Sequence, residues 1–446
     1  MLNFKDFNAI ENKYPTNKIL FKGICIWSYL RIYAYDKAHT GSGTAQNASS
    51  VSKSILIKSL LWQLPKLGKF ETLVLSSSDQ RKWIDNLWYD RFDFHPELKE
   101  KALVVEIPSP QHKPHGLLAS KHAYSKIWWY AIELVISKTL AKPIIQGERI
   151  LKDLLNELNV EIDVDELLKK FWAQYLFSKW AFSFYKTKRL FLITPYTNFA
   201  RVLAAKHLNI KVIEFQHGLI SAKHNAYCPE NLNEKKFLPD KILTFGENEV
   251  NILQETQYGN LESIVPIGSF YIDWLNRNQS IKNSASEKIK CCFTAQDVHL
   301  EPTIAFLNKL VTEMPNFELT FIPRKLPIEA YYQKGLNQKI VTNKMLDTYQ
   351  TMVQSDFHFT MYSTCATESL ALGTPSILIN IEGLAETHFG ELAKENPFLE
   401  IVETAEQAIK AIETLKNYKE EEVKQSISFY FAPNFKDNLS KAITFD

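Results

Sequence analysis

Short apolar runs alternate with amphipathic stretches along most of the chain, and polar residues follow the runs. In the middle of the sequence, the apolar runs Arg189–Thr194 and Lys211–Phe215 flank the amphipathic stretch Phe199–His207. Two further runs of the same kind follow, at Asp240–Phe245 and Ser263–Ile267. Strands that alternate with helices predict a mainly parallel α/β sheet.

The pattern restarts after the polar, Asn/Ser-rich segment Asp273–Glu287, which we interpret as a linker. We therefore expect an N-terminal Rossmann-like domain over residues 1–275, with a helical insertion, and a second over residues 276–446. The final helix is expected to pack back on the first domain. The remaining predicted strands are Glu71–Ser76, Ala102–Ile107, Lys288–Phe293, Phe317–Ile322, Phe357–Met361 and Ser376–Asn380. Helices are predicted over Leu20–Tyr35, most of His122–Lys188, Pro302–Glu313, Met345–Gln354, Cys365–Leu372 and Ala405–Asn417.

Composition narrows the class of protein. A chain of 446 residues with 45% apolar and 23% charged residues is typical of a globular protein with two domains. The formal net charge of +2 argues against a nucleic-acid binder. The five cysteines have no CxxC spacing, which favours reduced thiols. No apolar signal core begins the sequence and no apolar run reaches membrane-spanning length, so we expect a cytoplasmic protein.

Two segments mix aromatic and basic residues. Lys126–Tyr130 reads KIWWY, and Phe177–Lys186 reads FSKWAFSFYK. Rings and lysines of this kind suit the headgroup region of a bilayer. Peripheral contact with the inner face of the cytoplasmic membrane and plain core packing both remain open for these segments.

A polar loop, Gln216-His217-Gly218, begins where one predicted strand of the first domain ends. Ligands of parallel α/β sheets bind at this edge. His217 is the candidate general base, because a neutral imidazole accepts a hydroxyl proton near pH 7. Gln216 and His224 are candidate substrate contacts. A zinc site from His217, His224 and Cys228 has no common ligand spacing, so we expect no metal.

Another loop of the first domain, after the strand Glu71–Ser76, carries Asp79 and Arg81. These two residues are candidates for holding an acceptor substrate, and a solvated turn is the alternative.

The second domain has a candidate phosphate site. Ser363 and Thr364 precede a predicted helix, whose free N–H groups and dipole favour an anion. Simple helix capping is the alternative. The other candidate donor contacts follow strand ends or lie one helical turn further on: Gln296, Arg324, Lys325 and Glu368. The sequence contains no GxGxxG, Walker loop or HExxH, which disfavours dehydrogenases, P-loop NTPases and zincins.

These residues resemble a known group of enzymes. The units FQHGLISAKHNAY and DFHFTMYSTCATESLALGTPSILIN resemble GT-B glycosyltransferases of bacterial surface polysaccharides, and the first is also similar to the His-Gly loop of teichoic-acid glycerophosphotransferases. The resemblance covers roughly Arg189–Asn380. It implies two Rossmann-like domains facing across a cleft, with His217 as the base and Ser363, Thr364 and Glu368 at the donor. Arg324 stands where related capsule enzymes have a histidine.

The resemblance implies a transferase that moves a sugar from a nucleotide donor to a growing capsule, O-antigen or similar glycan, and it implies that this glycan is held on a lipid carrier. Paired glutamates of many retaining enzymes are missing, which favours inversion. No DxD lies in a predicted strand-end loop, so we expect no metal at the donor diphosphate and no further cofactor. The alternatives are a CDP-alditol glycerol- or ribitol-phosphate transferase, a UDP-sugar 2-epimerase and a non-enzymatic two-domain binding protein.

Overall fold

The computed structural model describes residues 2–40, 53–109, 112–218, 220–222, 224–230, 233–260, 263–278, 288–324, 326–342 and 345–444. The chain forms two compact units, residues 1–267 with 436–446 and residues 268–435. Most of the expected linker, residues 279–287, lies outside the described part.

The first unit is built on a parallel sheet. Its strands are β1 (Leu20–Phe21), β2 (Ile24–Cys25), β3 (Thr72–Ser77), β4 (Lys82–Ile84), β5 (Leu87–Tyr89), β6 (Leu103–Ile107), β7 (His122–Ser125), β8 (Ile145–Gln146), β9 (Arg189–Leu192), β10 (Lys211–Phe215), β11 (Lys241–Thr244) and β12 (Ser263–Pro266). Seven of the described strands form one sheet in the order β12-β11-β10-β9-β3-β6-β7, with every neighbouring pair parallel. Nearly every residue of β3, β6, β9 and β10 is buried, as expected of a sheet covered on both faces.

Helices cover this sheet. They are α1 (Phe4–Glu11), α2 (Trp27–Thr40), α3 (Lys53–Trp62), α4 (Pro96–Lys101), α5 (Ile127–Thr139), α6 (Glu148–Glu157), α7 (Val164–Tyr185), α8 (Phe199–His207) and α9 (Glu247–Gln254). The longest, α7, buries Leu167, Phe171 and Phe182 at helical spacing, and its N-cap Asp163 accepts a hydrogen bond from the backbone N–H of Glu166.

The predicted helix over Leu20–Tyr35 is wrong at its beginning. Leu20 pairs with Cys25 and Phe21 with Ile24, so β1 and β2 form a hairpin before α2. The two turn residues, Lys22 and Gly23, have φ values of 53° and 77°, the left-handed conformation that a two-residue type I′ turn requires. The helical region predicted from His122 also begins instead with a strand, β7.

The second unit has a smaller parallel sheet in the order β14-β13-β15-β16-β17. Its strands are β13 (Ile289–Thr294), β14 (Phe317–Ile322), β15 (Phe357–Thr360), β16 (Ser376–Ile379) and β17 (Leu399–Val402). Its helices are α10 (Phe270–Asn278), α11 (Leu300–Glu313), α12 (Ile328–Gln333), α13 (Thr348–Val353), α14 (Cys365–Ala371), α15 (Leu384–Glu395), α16 (Ala405–Leu415) and α17 (Glu420–Ser426), with α18 (Phe435–Ala442) running on into residues of the first unit. The Nζ atom of Lys241 donates to the carbonyl oxygen of Ala442 at 2.8 Å, which ties the end of α18 to β11.

Candidate functional sites

The candidate site of the first unit lies at the carboxyl edge of its sheet. From β3 the chain proceeds to β6 and β7 on one side, and from β9 to β10, β11 and β12 on the other. The topological switch point of the sheet is therefore between β3 and β9, where open α/β sheets form a ligand crevice. Asp79 follows β3, Tyr196 follows β9 and His217 follows β10, so three neighbouring strands contribute to this edge.

His217 is half-buried beside this switch point, and its Nδ1 atom is buried with no hydrogen-bond partner in the described structure. Burial lowers the pKa of His217, and the nearby Arg91 guanidinium lowers it further, while Asp79 opposes the shift. The imidazole is thus neutral near pH 7 and has a nitrogen lone pair that can accept a proton. A neutral imidazole is the state that a general base needs, and the catalytic role of His217 stays a prediction.

His224 lies close to His217. Burial and the proximity of His217 lower the pKa of His224 to about 4, and its Nδ1 atom accepts a hydrogen bond from the backbone N–H of Ala226 at 3.2 Å. The Tyr196 ring is near both imidazoles, with its centroid 6.5 Å from that of His217 and 5.9 Å from that of His224. A neutral His224 offers hydrogen bonds but no charge to a substrate.

Gln216 shapes the loop. Its buried carboxamide accepts from the backbone N–H of Phe245 at 2.6 Å and donates to the carbonyl oxygen of Gly218 at 2.8 Å. The backbone carbonyl oxygen of Gln216 accepts a short hydrogen bond from Arg91 Nη1. These bonds join the ends of β10 and β11 and set the direction in which His217 leaves the sheet.

Asp79 and Arg81 are neighbours in sequence but differ in environment. Asp79 is exposed in a 3₁₀ turn at the edge. The Arg81 side chain is buried and pairs with Glu106 at 2.5 Å and with Asp93 at 3.1 Å. Burial alone would raise the pKa of Glu106, but the guanidinium and hydrogen bonds from His112 and Ser78 lower it to about 2. Arg81 is therefore neither a solvated turn residue nor directed at a ligand, and it holds the edge in place from beneath.

Arg91 is a residue of this edge that the sequence did not reveal. It is buried at the start of a 3₁₀ turn, Arg91–Phe94, and donates to the Gln216 carbonyl and to Gln80 Oε1, which links the loops after β3 and β10. Glu249, at the start of α9, was also missed; burial raises its pKa to about 7, although Gln216 and nearby hydrogen bonds oppose this. Neither residue lies in a motif or beside His217 in the sequence, so only the fold brings them there.

The loop that carries His224 is held by the N-terminal helices. Arg31 of α2 pairs with Glu11 of α1, both almost fully buried, through its Nε atom at 2.9 Å. Its Nη1 atom donates to the carbonyl oxygen of Asn225 at 2.8 Å and to the Asn225 side chain. Its Nη2 atom donates to Asn8 Oδ1 at 2.6 Å. The buried pair thus fixes the residue next to His224.

In the second unit, the candidate residues also gather at a carboxyl edge. Gln296 follows β13 and Ser363 follows β15, the two strands that flank the switch point of this sheet. Gln296 Oε1 accepts a hydrogen bond from the backbone N–H of Tyr362 at 2.8 Å and so joins the two loops. Arg324 follows the neighbouring strand β14 and is exposed, whereas Lys325 lies outside the described residues.

The start of α14 differs from a simple cap. Thr364 has helical backbone angles and makes no side-chain capping bond, while Ser363 Oγ accepts from the backbone N–H of Cys365 at 3.3 Å. Glu368 Oε1, one turn into the helix, accepts from the Tyr349 hydroxyl at 2.7 Å. The exposed Thr364 hydroxyl and the half-buried Ser363 are therefore the hydroxyl groups that this edge presents.

Comparisons with solved structures define the class of fold. The UDP-GlcNAc 2-epimerase from Methanocaldococcus jannaschii matches with a TM-score of 0.52 at 12% identity, over 83% of this chain and 98% of that one. The UDP-GlcNAc 2-epimerase from Neisseria meningitidis bound to UDP-GlcNAc matches with a TM-score of 0.51 at 14% identity, over the same shares. A glycotransferase of kitacinnamycin matches with a TM-score of 0.44 at 11% identity, over 85% of this chain and all of that one.

The chain has the α/β fold of GT-B enzymes, with two Rossmann-like domains, as the sequence predicted. No protein-family model and no curated protein sequence matches it.

Proposed function

We propose that the protein is a glycosyltransferase that moves a sugar from a nucleotide donor to a hydroxyl group of a growing surface glycan carried by a lipid. The observation that carries the proposal is His217: a neutral, half-buried imidazole at the switch point of the first sheet. His217 would accept the proton of the acceptor hydroxyl while its oxygen forms a bond to the sugar C1, and the bond from C1 to the diphosphate oxygen would break and release the nucleotide. Transfer would invert the anomeric configuration in this single displacement, without a metal.

The carboxyl edge of the second unit supports the donor half of the proposal. Ser363 and Thr364 offer hydroxyl groups, and Arg324 offers an exposed guanidinium that can clamp a diphosphate. Glu368 would accept a hydrogen bond from a ribose hydroxyl, and the Tyr349 hydroxyl, which donates to Glu368 Oε1 at 2.7 Å, would hold the carboxylate in position. Because nucleotide sugars are cytoplasmic metabolites, we propose that the protein acts there.

A UDP-sugar 2-epimerase is the second candidate. The specific observation in its favour is that two of the matching structures, with TM-scores of 0.52 and 0.51, are UDP-GlcNAc 2-epimerases, one of them bound to UDP-GlcNAc. An epimerase would invert C2 of the bound sugar and need no acceptor. The neutral His217 would serve that chemistry as a base equally well.

Product analysis separates these reactions. The purified protein is incubated with UDP-, GDP- and CMP-sugars and with CDP-glycerol, each with and without lipid-linked glycan acceptors, and products are identified by mass spectrometry and NMR. The proposal predicts a nucleoside phosphate released only when acceptor is present, together with a glycan longer by one sugar. Conversion of a UDP-sugar to its 2-epimer without acceptor would establish the second candidate, and CMP released from CDP-glycerol would establish an alditol-phosphate transferase.

A further inference from the structure

Helix α3 exposes an unusual amount of apolar surface. Six of its ten residues are large and apolar, and none of the six is buried. Leu61 is 82% exposed, and Leu67, which follows the helix, is 84% exposed. Ile57 and Leu64 are also exposed large apolar residues. A helix that is apolar around its circumference is normally enclosed by other protein or by lipid.

Neighbouring helices extend this surface. On α7, Leu176, Trp180 and Phe184 are exposed and spaced by four residues, so they share one face of the helix. The Trp180 and Phe184 rings stack with centroids 5.4 Å apart. Helix α5 contacts both α3 and α7 and exposes Ile132 and Val135. We call the exposed apolar residues of these three helices and of the segment after α3 the α3 surface.

The segments that form the α3 surface carry mainly positive charge, although Lys188 pairs with the exposed Glu71 at 2.7 Å. Residues 55–69 contain three lysines and no acidic residue, and residues 172–188 also contain three lysines and no acidic residue. The single acidic residue of α5, Glu133, is buried and pairs with Arg201 at 2.6 Å. The lysines are Lys58, Lys66, Lys69, Lys179, Lys186 and Lys188. The surface therefore combines exposed leucines and aromatic rings with positive charge, a combination that fits an anionic lipid headgroup layer.

We propose that the α3 surface docks on a bilayer that contains anionic lipids. Among the described residues, no helix is long and apolar enough to cross a membrane, so the contact is peripheral. The residues of this surface differ from the two aromatic-basic segments that the sequence indicated for membrane contact. Lys126 and Trp129 of the first aromatic-basic segment are buried, and only the exposed face of the second, with Trp180 and Phe184, joins α3.

Flotation with vesicles tests this proposal directly, and it needs no substrate or activity. The full-length protein is mixed with vesicles of phosphatidylcholine alone or with about 30% phosphatidylglycerol, at low and high salt. We expect it to float with the anionic vesicles, and salt should weaken the binding. The double variant Leu61→Glu/Leu67→Glu should bind at least about tenfold more weakly, because the carboxylates remove apolar contact and repel the lipid. Neutralising Lys58 or Lys69 with glutamine should each weaken binding by about fivefold.

Matched variants separate lipid binding from other effects. Met345→Glu changes an equally exposed apolar residue of the second unit, and Lys410→Gln removes an exposed lysine of α16; both should bind vesicles as the unchanged protein does. Circular dichroism of Leu61→Glu/Leu67→Glu should be unchanged, since both side chains are exposed. No binding to anionic vesicles would overturn the proposal. Light scattering gives a further test, since it would detect a dimer that the Leu61→Glu/Leu67→Glu variant dissociates. That result would identify a second copy of the chain as the partner of the α3 surface, and it would also overturn the proposal.

Discussion

The carboxyl edges of the two sheets differ in their chemistry. In the first unit, the edge contains two neutral histidines, the exposed Asp79 and the buried Arg91. Beneath it lie the ion pairs of Arg81 with Glu106 and Asp93. In the second unit, the loops at the switch point are joined by a hydrogen bond from the Tyr362 backbone N–H to Gln296 Oε1, and they present hydroxyl groups. The two units share one kind of fold and topology of ligand edge, yet the first brings together two imidazoles of lowered pKa, whereas in the second His299 pairs with Glu382 at 3.2 Å and His388 stacks on Tyr362.

This difference indicates that the two carboxyl edges have separate roles. A general base must be unprotonated at the working pH, and burial together with the nearby Arg91 guanidinium lowers the pKa of His217 and so favours that state. Holding a phosphate or a ribose needs fixed donors and acceptors that do not change state with pH, which hydroxyl and backbone groups supply. We interpret the first edge as the chemical one and the second as the nucleotide-binding one.

Arg81→Met should have the largest effect on the first edge. It leaves the buried Glu106 and Asp93 without their partner, so the free energy of unfolding of the first unit should fall by about 3–5 kcal/mol. Denaturant titration followed by tryptophan fluorescence measures this. Lys101→Met, which removes an exposed partner of Glu97, is the control and should cost less than about 1 kcal/mol. Equal small losses for the two variants would show that the buried pairs do not support the edge.

His217→Ala should lower the turnover rate by about 100-fold or more, since it removes the group proposed to take the acceptor proton. Nucleotide affinity, measured by isothermal titration, should change by less than about twofold. His39→Ala, a change at an exposed histidine of α2, serves as the control. Full turnover in His217→Ala would assign the proton transfer to another residue.

His358 gives the second unit a distinct pH response. It is buried between Thr294 and Ser376, and burial lowers its pKa to about 3 from an ordinary value of 6.5. Its contribution to stability is complete above pH 6.5 and is lost as the pH falls toward 3, by about 1.4 kcal/mol per pH unit. His358→Gln should reduce the pH dependence of the unfolding free energy between pH 6.5 and 4.5 by about 1.4 kcal/mol per pH unit. An unchanged slope would contradict a neutral, buried His358.

Ser363→Ala should have the smallest of these effects. Loss of one hydroxyl group from the second edge should weaken binding of the preferred nucleotide by about fivefold, which corresponds to the net free energy of one hydrogen bond. Turnover at saturating donor should stay within about twofold. Ser428→Ala, at an exposed serine outside this edge, should leave the affinity unchanged. Unaltered affinity in Ser363→Ala would remove Ser363 from the proposed donor site.

Much of the fold was predictable because buried parallel strands leave apolar runs that turn residues interrupt. The predicted bounds of β10, β14 and α8 agree with the structure residue for residue. The strand β7 was missed because its sequence, His-Ala-Tyr-Ser, has no apolar run, although it pairs with β6 along its length. The N-terminal hairpin was missed because Leu20 and Ile24 have helical spacing, and only the turn at Lys22-Gly23 distinguishes the two structures.

The candidate sites were predictable only in part. Residues directly after strands, such as His217 and Gln296, could be placed at an edge from the sequence because strand ends define that edge. Arg91 and Tyr196 could not be placed, since their positions depend on how separate loops pack. Arg81 could not be told from a solvated residue, because its burial is set by Glu106, which lies 25 residues away in the sequence.

The tether from Arg31 to Asn225 has a consequence for folding. The Glu11–Arg31 pair spans 20 residues and can form early, whereas Arg31 and Asn225 are 194 residues apart. At synthesis rates of about 5–20 residues per second, Asn225 is synthesised roughly 10–40 seconds after Arg31. We therefore expect the loop with His224 to become ordered only after both of these distant parts of the first unit have been made.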